Sequence, residues 1–197
     1  MKRLVSLCFI IAVLATFTFA QPQTVTDYFM AFPTNQFAKN NDGKILQGAA
    51  LTKFRRSLIK VEDTKNGYLR LEGAWEGWAE IALFKKADGS YLVAQTETGC
   101  GPACGGSIKF FTYNAGKWAD VTKQVFPALS TTAVRQAFVA KKMNPADGTE
   151  SYFLLPRVGT TIKMACNMCE IPNAAPGGEE DTTLLEFTWN GAKFARK

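Results

Sequence analysis

Short glycine-containing turns recur between residues 58 and 197, and they restrict the possible folds more than any other feature of the sequence. The turns lie at 66–67, 88–89, 114–116, 158–159 and 190–191. Each is flanked by runs rich in β-branched and aromatic residues, and glycine next to Asn or Asp readily adopts the positive φ angles of tight hairpins. The pattern therefore predicts five antiparallel hairpins.

Helical patterns are few and lie outside these hairpins, at 24–32, 51–59 and 130–142. We therefore expect a mainly β chain with a few packed helices, a β-rich α+β fold. About five hairpins would form an antiparallel meander, as an open sheet or a sandwich. A propeller-like or barrel arrangement is the alternative.

Residues 1–20 have the pattern of a signal peptide: two basic residues precede an apolar run, and Thr18 and Ala20 occupy the −3 and −1 positions of a cleavage site. The apolar run is shorter than the roughly 20 residues that span a bilayer. We expect a periplasmic or secreted protein with no membrane span after cleavage. The remaining chain, 21–197, is predicted to be one β-rich domain, with a helical N-terminal part at 21–57 and hairpin repeats at 58–197.

The order of the hairpins predicts where the longer connections lie. In a meander of successive hairpins, all tight turns fall at one end of the sheet and all longer connections at the other. The connections are 73–78, 99–106, 123–151 and 167–182. Both cysteine pairs and the segment AWEGWAE at 74–80 should therefore lie at the same end of the fold.

Four cysteines remain after removal of the signal peptide: Cys100, Cys104, Cys166 and Cys169. An even number in an exported chain favours disulfides, and the spacing leaves all three pairings open. A structural zinc site made of the four thiolates is an alternative. Thiol–disulfide redox chemistry is another, although Cys104 precedes a strand pattern instead of the helix that lowers the pKa of a reactive thiol.

Composition excludes several classes of function. The chain contains no histidine, so histidine-dependent nucleophile activation and histidine-ligated metals are not available to it. Without the signal peptide the 23 basic residues fall to 21 against 17 acidic ones, a net charge of +4. The basic residues are scattered, whereas nucleic-acid-binding proteins concentrate them on one face. We expect no nucleic-acid partner and no cofactor.

The best candidate for a binding surface is AWEGWAE, which contains Trp75, Glu76 and Trp78. Tryptophan combines a large apolar face with an N–H donor, so two of them beside a carboxylate suit a sugar or a protein partner. Positions three apart on a regular strand face opposite sides, but a bulge at Gly77 would bring the two rings together. In the alternative, one tryptophan is core and the other covers the end of the sheet.

The sequence as a whole favours an exported, non-catalytic binding domain stapled by disulfides, with an extracytoplasmic protein, a glycan or an envelope component as partner. The run from Ala82 to Thr122 and the closing hairpin, 184–197, resemble hairpin segments of exported bacterial domains. That resemblance implies no activity.

Overall fold

The computed structural model describes residues 22–33, 36–40, 42–73, 75–101, 103–143, 150–166 and 181–197. The predicted signal peptide and Cys169 lie outside the described residues.

The described strands form two antiparallel sheets. The six-stranded sheet contains, in sequence order, β1 (Ile59–Asp63), β2 (Tyr68–Leu71), β3 (Gly77–Lys85), β4 (Tyr91–Cys100), β5 (Cys104–Asn114) and β6 (Lys117–Asp120). The four-stranded sheet has the order β10-β9-β8-β7, with β7 at Tyr152–Leu154, β8 at Thr161–Cys166, β9 at Thr182–Trp189 and β10 at Phe194–Arg196. All five predicted hairpins are present as paired neighbouring strands, which confirms the β-rich α+β meander. Within the described ranges neither sheet closes into a barrel, so the barrel alternative is not what the chain adopts.

The turn between β5 and β6 shows why the glycine pattern predicts hairpins. Asn114 pairs with Lys117, leaving a two-residue loop in which Ala115 and Gly116 have φ angles of 47° and 82°. Two successive positive φ angles are typical of the type I′ turn, whose twist matches that of the flanking strands.

In the described ranges four short helices accompany the sheets: α1 (Val25–Met30), α2 (Gly48–Leu58), α3 (Thr122–Val125) and α4 (Thr131–Ala140). Three of them confirm the predicted helices, and α3 was not predicted. Thr24 caps α1 through a capping box with Asp27, and Ser130 caps α4 by accepting from the Ala133 N–H. No helix in the described part of the chain is long and apolar enough to cross a membrane.

Both faces of the six-stranded sheet are covered. On β3, Ala82 and Phe84 pack towards the four-stranded sheet, in a core that also contains Phe110 and Phe187. The opposite face packs against α1 and α2 through residues such as Ile81. Burial on both faces explains why residues 81–84 of β3 form an apolar run that does not alternate with polar residues.

Contacts between the sheets confirm that tight turns and longer connections lie at opposite ends. At the turn end, the Ala87 N–H donates to the Gly191 carbonyl over 3.3 Å. At the other end, the Gly106 N–H donates to the Ser151 carbonyl over 3.0 Å. The segment containing Trp75 and Trp78 lies at this second end, beside the Cys100–Cys104 turn, because the Cys100 N–H donates to the Glu76 carbonyl.

Candidate binding cleft beside Trp75

A cleft of about 690 Å³ lies at the connection end of the six-stranded sheet, on the face covered by the N-terminal part of the chain. Its aromatic lining consists of Phe37, Phe54 and Trp75, and its polar lining includes Gln36, Lys39, Glu97, Ser107 and Lys109. We call this space the Trp75 cleft. Its size falls within the roughly 300–1,000 Å³ of small-molecule sites, and apolar walls with a few polar groups are their usual composition.

Trp75 is half-buried and held in a fixed position in the cleft wall. Its indole Nε1–H donates to the Thr98 carbonyl over 3.3 Å, and its ring centroid lies 6.0 Å from that of Phe37. The part of the ring that these contacts leave uncovered lines the cleft. A ring oriented before binding loses little conformational freedom when a ligand stacks on it.

Arg55 holds the segment that supplies Gln36 and Phe37 to the cleft lining. Its side chain is 2% exposed and donates to five main-chain carbonyls, those of Phe29, Met30, Phe32, Pro33 and Gln36, over 2.6–3.5 Å. Burial lowers the pKa of Arg55. The shortest of these bonds, 2.6 Å, ends on the carbonyl of Gln36, next to Phe37. Arg55 on α2 therefore positions the segment that supplies the N-terminal cleft residues.

The two tryptophans of AWEGWAE lie on different faces of the six-stranded sheet. Trp78 packs edge-on against Tyr152 at 5.3 Å between the ring centroids, on the side of the four-stranded sheet, and the Arg70 guanidinium lies 4.7 Å from its ring centroid. Gly77 does adopt an unusual backbone, with a φ angle of 133°, but it does not bring the two rings together. Glu76 is exposed and lines neither described cavity. Of these three predicted residues, Trp75 lines the cleft.

A buried polar cluster that includes Glu80 connects the two sheets, and no sequence pattern predicted it. Glu80 is 3% exposed, and its carboxylate accepts hydrogen bonds of 2.7 Å from both the Tyr68 hydroxyl and the Leu155 N–H. Burial raises the pKa of Glu80 above its ordinary value, while these two hydrogen bonds and the charge of Arg70 act in the opposite direction. Nearby, the Tyr152 hydroxyl donates to the Asp181 carboxylate. Burial, more than any other cause, raises the pKa of Tyr152.

The first two cysteines of the predicted domain pair with each other. Cys100 and Cys104 face each other across β4 and β5 and form a disulfide. Cys166 is also disulfide-bonded, with a partner outside the described residues. Of the three pairings that the sequence allowed, the two that join Cys100 or Cys104 to the second pair are thereby excluded. Sulfurs in a disulfide carry no thiolate charge for zinc, and the described residues contain no group of three or more side chains placed to hold a metal.

Comparison with known proteins gives a fold relationship and no activity. No protein-family model matches the chain, and no curated protein matches it. A solved structure, titled as a domain of an uncharacterized protein from Porphyromonas gingivalis, is similar with a TM-score of 0.53. It shares 12% sequence identity, and the match covers 89% of this chain and 100% of that one. At this identity the likeness indicates a shared fold alone.

Proposed function

We propose that this chain is an exported, non-catalytic binding domain that contacts a glycan, a protein or another envelope component through the Trp75 cleft. The observation that carries the proposal is the fixed, half-buried indole of Trp75 in the wall of a ligand-sized cleft with a polar rim. Tryptophans held in this way are enriched among the residues that dominate binding energy.

The state of the acidic side chains supports binding instead of catalysis. General acid–base chemistry uses carboxyl groups whose pKa is shifted towards the working pH and which reach the substrate. Among the described carboxyl groups the pKa of Glu80 is raised, but Glu80 lies between the sheets and lines neither described cavity. Glu97, which does line the Trp75 cleft, accepts a 2.6 Å hydrogen bond from Gln95.

Export is supported by the pattern of residues 1–20 and by the Cys100–Cys104 disulfide, because disulfides persist in oxidising compartments. In this proposal the disulfide staples the turn between β4 and β5 at the end of the sheet where the cleft lies.

The test compares the wild-type protein with Trp75→Ala and Trp78→Ala on one binding panel of immobilised glycans, purified envelope polymers and envelope proteins. We expect Trp75→Ala to lose binding at least tenfold, as for a residue worth about 2 kcal/mol in the complex. Trp78→Ala is the matched control because it removes the same side chain on the other face of the sheet.

Thermal unfolding of each variant establishes that it is folded before binding is compared. Equal binding by Trp75→Ala and wild type, or the absence of any panel signal for wild type, would overturn the proposal. A loss of binding in Trp78→Ala alone would place the binding surface on the other face of the six-stranded sheet.

A further inference from the structure

A second cavity adjoins the Trp75 cleft. It has a volume of about 550 Å³ and is lined by residues that include Asn40, Ser57 and Lys60. Phe54 and Leu58, both on α2, border this cavity and the Trp75 cleft alike. The two spaces are therefore neighbours that meet at Phe54 and Leu58, and we call them together the groove.

The groove carries no net formal charge. Its described lining contains three lysines and three carboxylates, namely Lys39, Lys60, Lys109, Asp42, Glu72 and Glu97. A surface of mixed sign has no long-range attraction for a charged polymer. The groove therefore fits an uncharged ligand better than an acidic or a basic one.

Both aromatic and polar side chains line the groove. The rings of Trp75, Phe37 and Phe54 provide apolar faces, and the amides and hydroxyls of side chains such as Asn40 and Ser107 provide donors and acceptors. A sugar ring presents apolar C–H faces to an aromatic ring and a rim of hydroxyls to side chains that both donate and accept. Each cavity is large enough for a small ligand, so the whole groove exceeds what one sugar unit fills.

We propose that this groove binds a neutral oligosaccharide that extends from the Trp75 cleft across Phe54 into the second cavity. The inference rests on the proposed function, and it adds the chemical class and the extended form of the ligand. Binding energy should then accumulate with chain length, because sugar units beyond the Trp75 cleft contact the second cavity.

The experiment uses an array of neutral and acidic oligosaccharides of one to six sugar units, followed by calorimetric titration with the length series of the strongest neutral hit. We expect neutral compounds to bind, with affinity rising about tenfold from the disaccharide to the tetrasaccharide, equivalent to about 1.4 kcal/mol. Ser57→Trp places an indole in the second cavity from the exposed surface of α2. It should remove the gain with length while leaving disaccharide affinity unchanged.

Thr52→Trp is the control, because it adds the same side chain at an exposed position of α2 that lines neither cavity. Lys60→Trp, an exposed position of β1 that lines the second cavity alone, replaces Ser57→Trp if that variant does not fold. Affinity that is independent of length, or unaffected by the blocking variant, would overturn the extended groove. Binding of acidic sugars or of peptides in place of neutral sugars would overturn the ligand class, whereas Trp75-dependent binding to any panel member would leave the proposed function standing.

Discussion

Replacing Glu80 tests whether this buried carboxylate fastens the two sheets together. Its two oxygens accept from the Tyr68 hydroxyl on β2 and from the Leu155 N–H just beyond β7, each at 2.7 Å. The Glu80→Ala variant leaves both donors buried without an acceptor. A buried unsatisfied group costs about 1–3 kcal/mol, so the expected loss of unfolding free energy is about 2–6 kcal/mol. Typical domains have only about 5–15 kcal/mol in total.

The Glu80→Gln variant separates the hydrogen bonds from the charge. The amide oxygen of Gln can accept from Leu155 while its NH₂ group donates to the oxygen of Tyr68, so the expected cost is smaller than that of Glu80→Ala. Glu76→Ala is the matched control because Glu76 is an exposed carboxylate of the preceding turn, and surface changes of this kind usually stay within about 0.5 kcal/mol.

The difference in stability between wild type and Glu80→Gln should depend on pH, because Glu80 carries an ionisable charge and Gln does not. Because burial raises the pKa of Glu80 above its ordinary value of 4.5, protonated Glu80 favours the folded state. That contribution is fully present below pH 4.5 and is lost as the pH rises through the pKa of the folded protein. The unfolding free energy of wild type minus that of Glu80→Gln should therefore fall from pH 4.5 upwards and then level off.

Other carboxylates change stability with pH in the opposite direction. The useful quantity is therefore the difference in unfolding free energy between wild type and Glu80→Gln, in which their contributions cancel. The Arg157 side chain holds the pKa of Asp63 at about 2, so the stabilisation from Asp63 is lost as the pH falls from 3.8 towards that value. Urea unfolding of both proteins between pH 3 and pH 8 gives the difference directly. A difference that stays flat or rises above pH 4.5 would refute the reasoning, as would a loss below 1 kcal/mol in Glu80→Ala.

Two further substitutions test the parts of the fold around the cleft. Arg55→Lys keeps the charge, but a lysine cannot bond five carbonyls at once. We expect the unfolding free energy measured in urea to fall by about 2–4 kcal/mol and binding at the Trp75 cleft to weaken. An unchanged unfolding free energy would show that the carbonyl contacts contribute nothing. Cys100→Ser combined with Cys104→Ser should cost about 2 kcal/mol, the value for a short closed loop, without changing binding. The intact mass of the wild-type protein should be lower by four hydrogens before reduction than after it, as expected for two disulfides. Free thiols in the unreduced protein would contradict the disulfides.

The hairpins were predictable because each depends on a few adjacent residues. In the turn at 114–116, for example, the positive φ angles fall on Ala115 and Gly116, between strand runs that the alternation of Ile108 and Phe110 with Lys109 already indicates. The position of the connections at one end follows from hairpin order alone. These features need no knowledge of long-range packing.

The cleft and the Glu80 cluster were not predictable in the same way, because they depend on contacts between distant parts of the chain. Phe37 lies beside Trp75 in a segment that Arg55 holds through the Gln36 carbonyl, and residues 36–46 show no periodic pattern. Glu76 and Glu80 are similar acidic residues four positions apart in the sequence, and only the contact with Leu155 of the other sheet distinguishes the buried carboxylate from the exposed one. Strand alternation does not decide the face of Trp75, because Trp75 precedes β3 and its position is set by contacts with Phe37 and Thr98.

Nuclear magnetic resonance tests the central claim, binding at the Trp75 cleft, most directly. The ¹⁵N-labelled domain is titrated with the panel compound that the wild-type protein binds most tightly, and the indole and backbone N–H signals are followed. We expect the largest shifts at the Trp75 indole and at the backbone of Phe37 and Ser107. Largest shifts at Trp78 and Tyr152, or no shift with any panel compound, would contradict it.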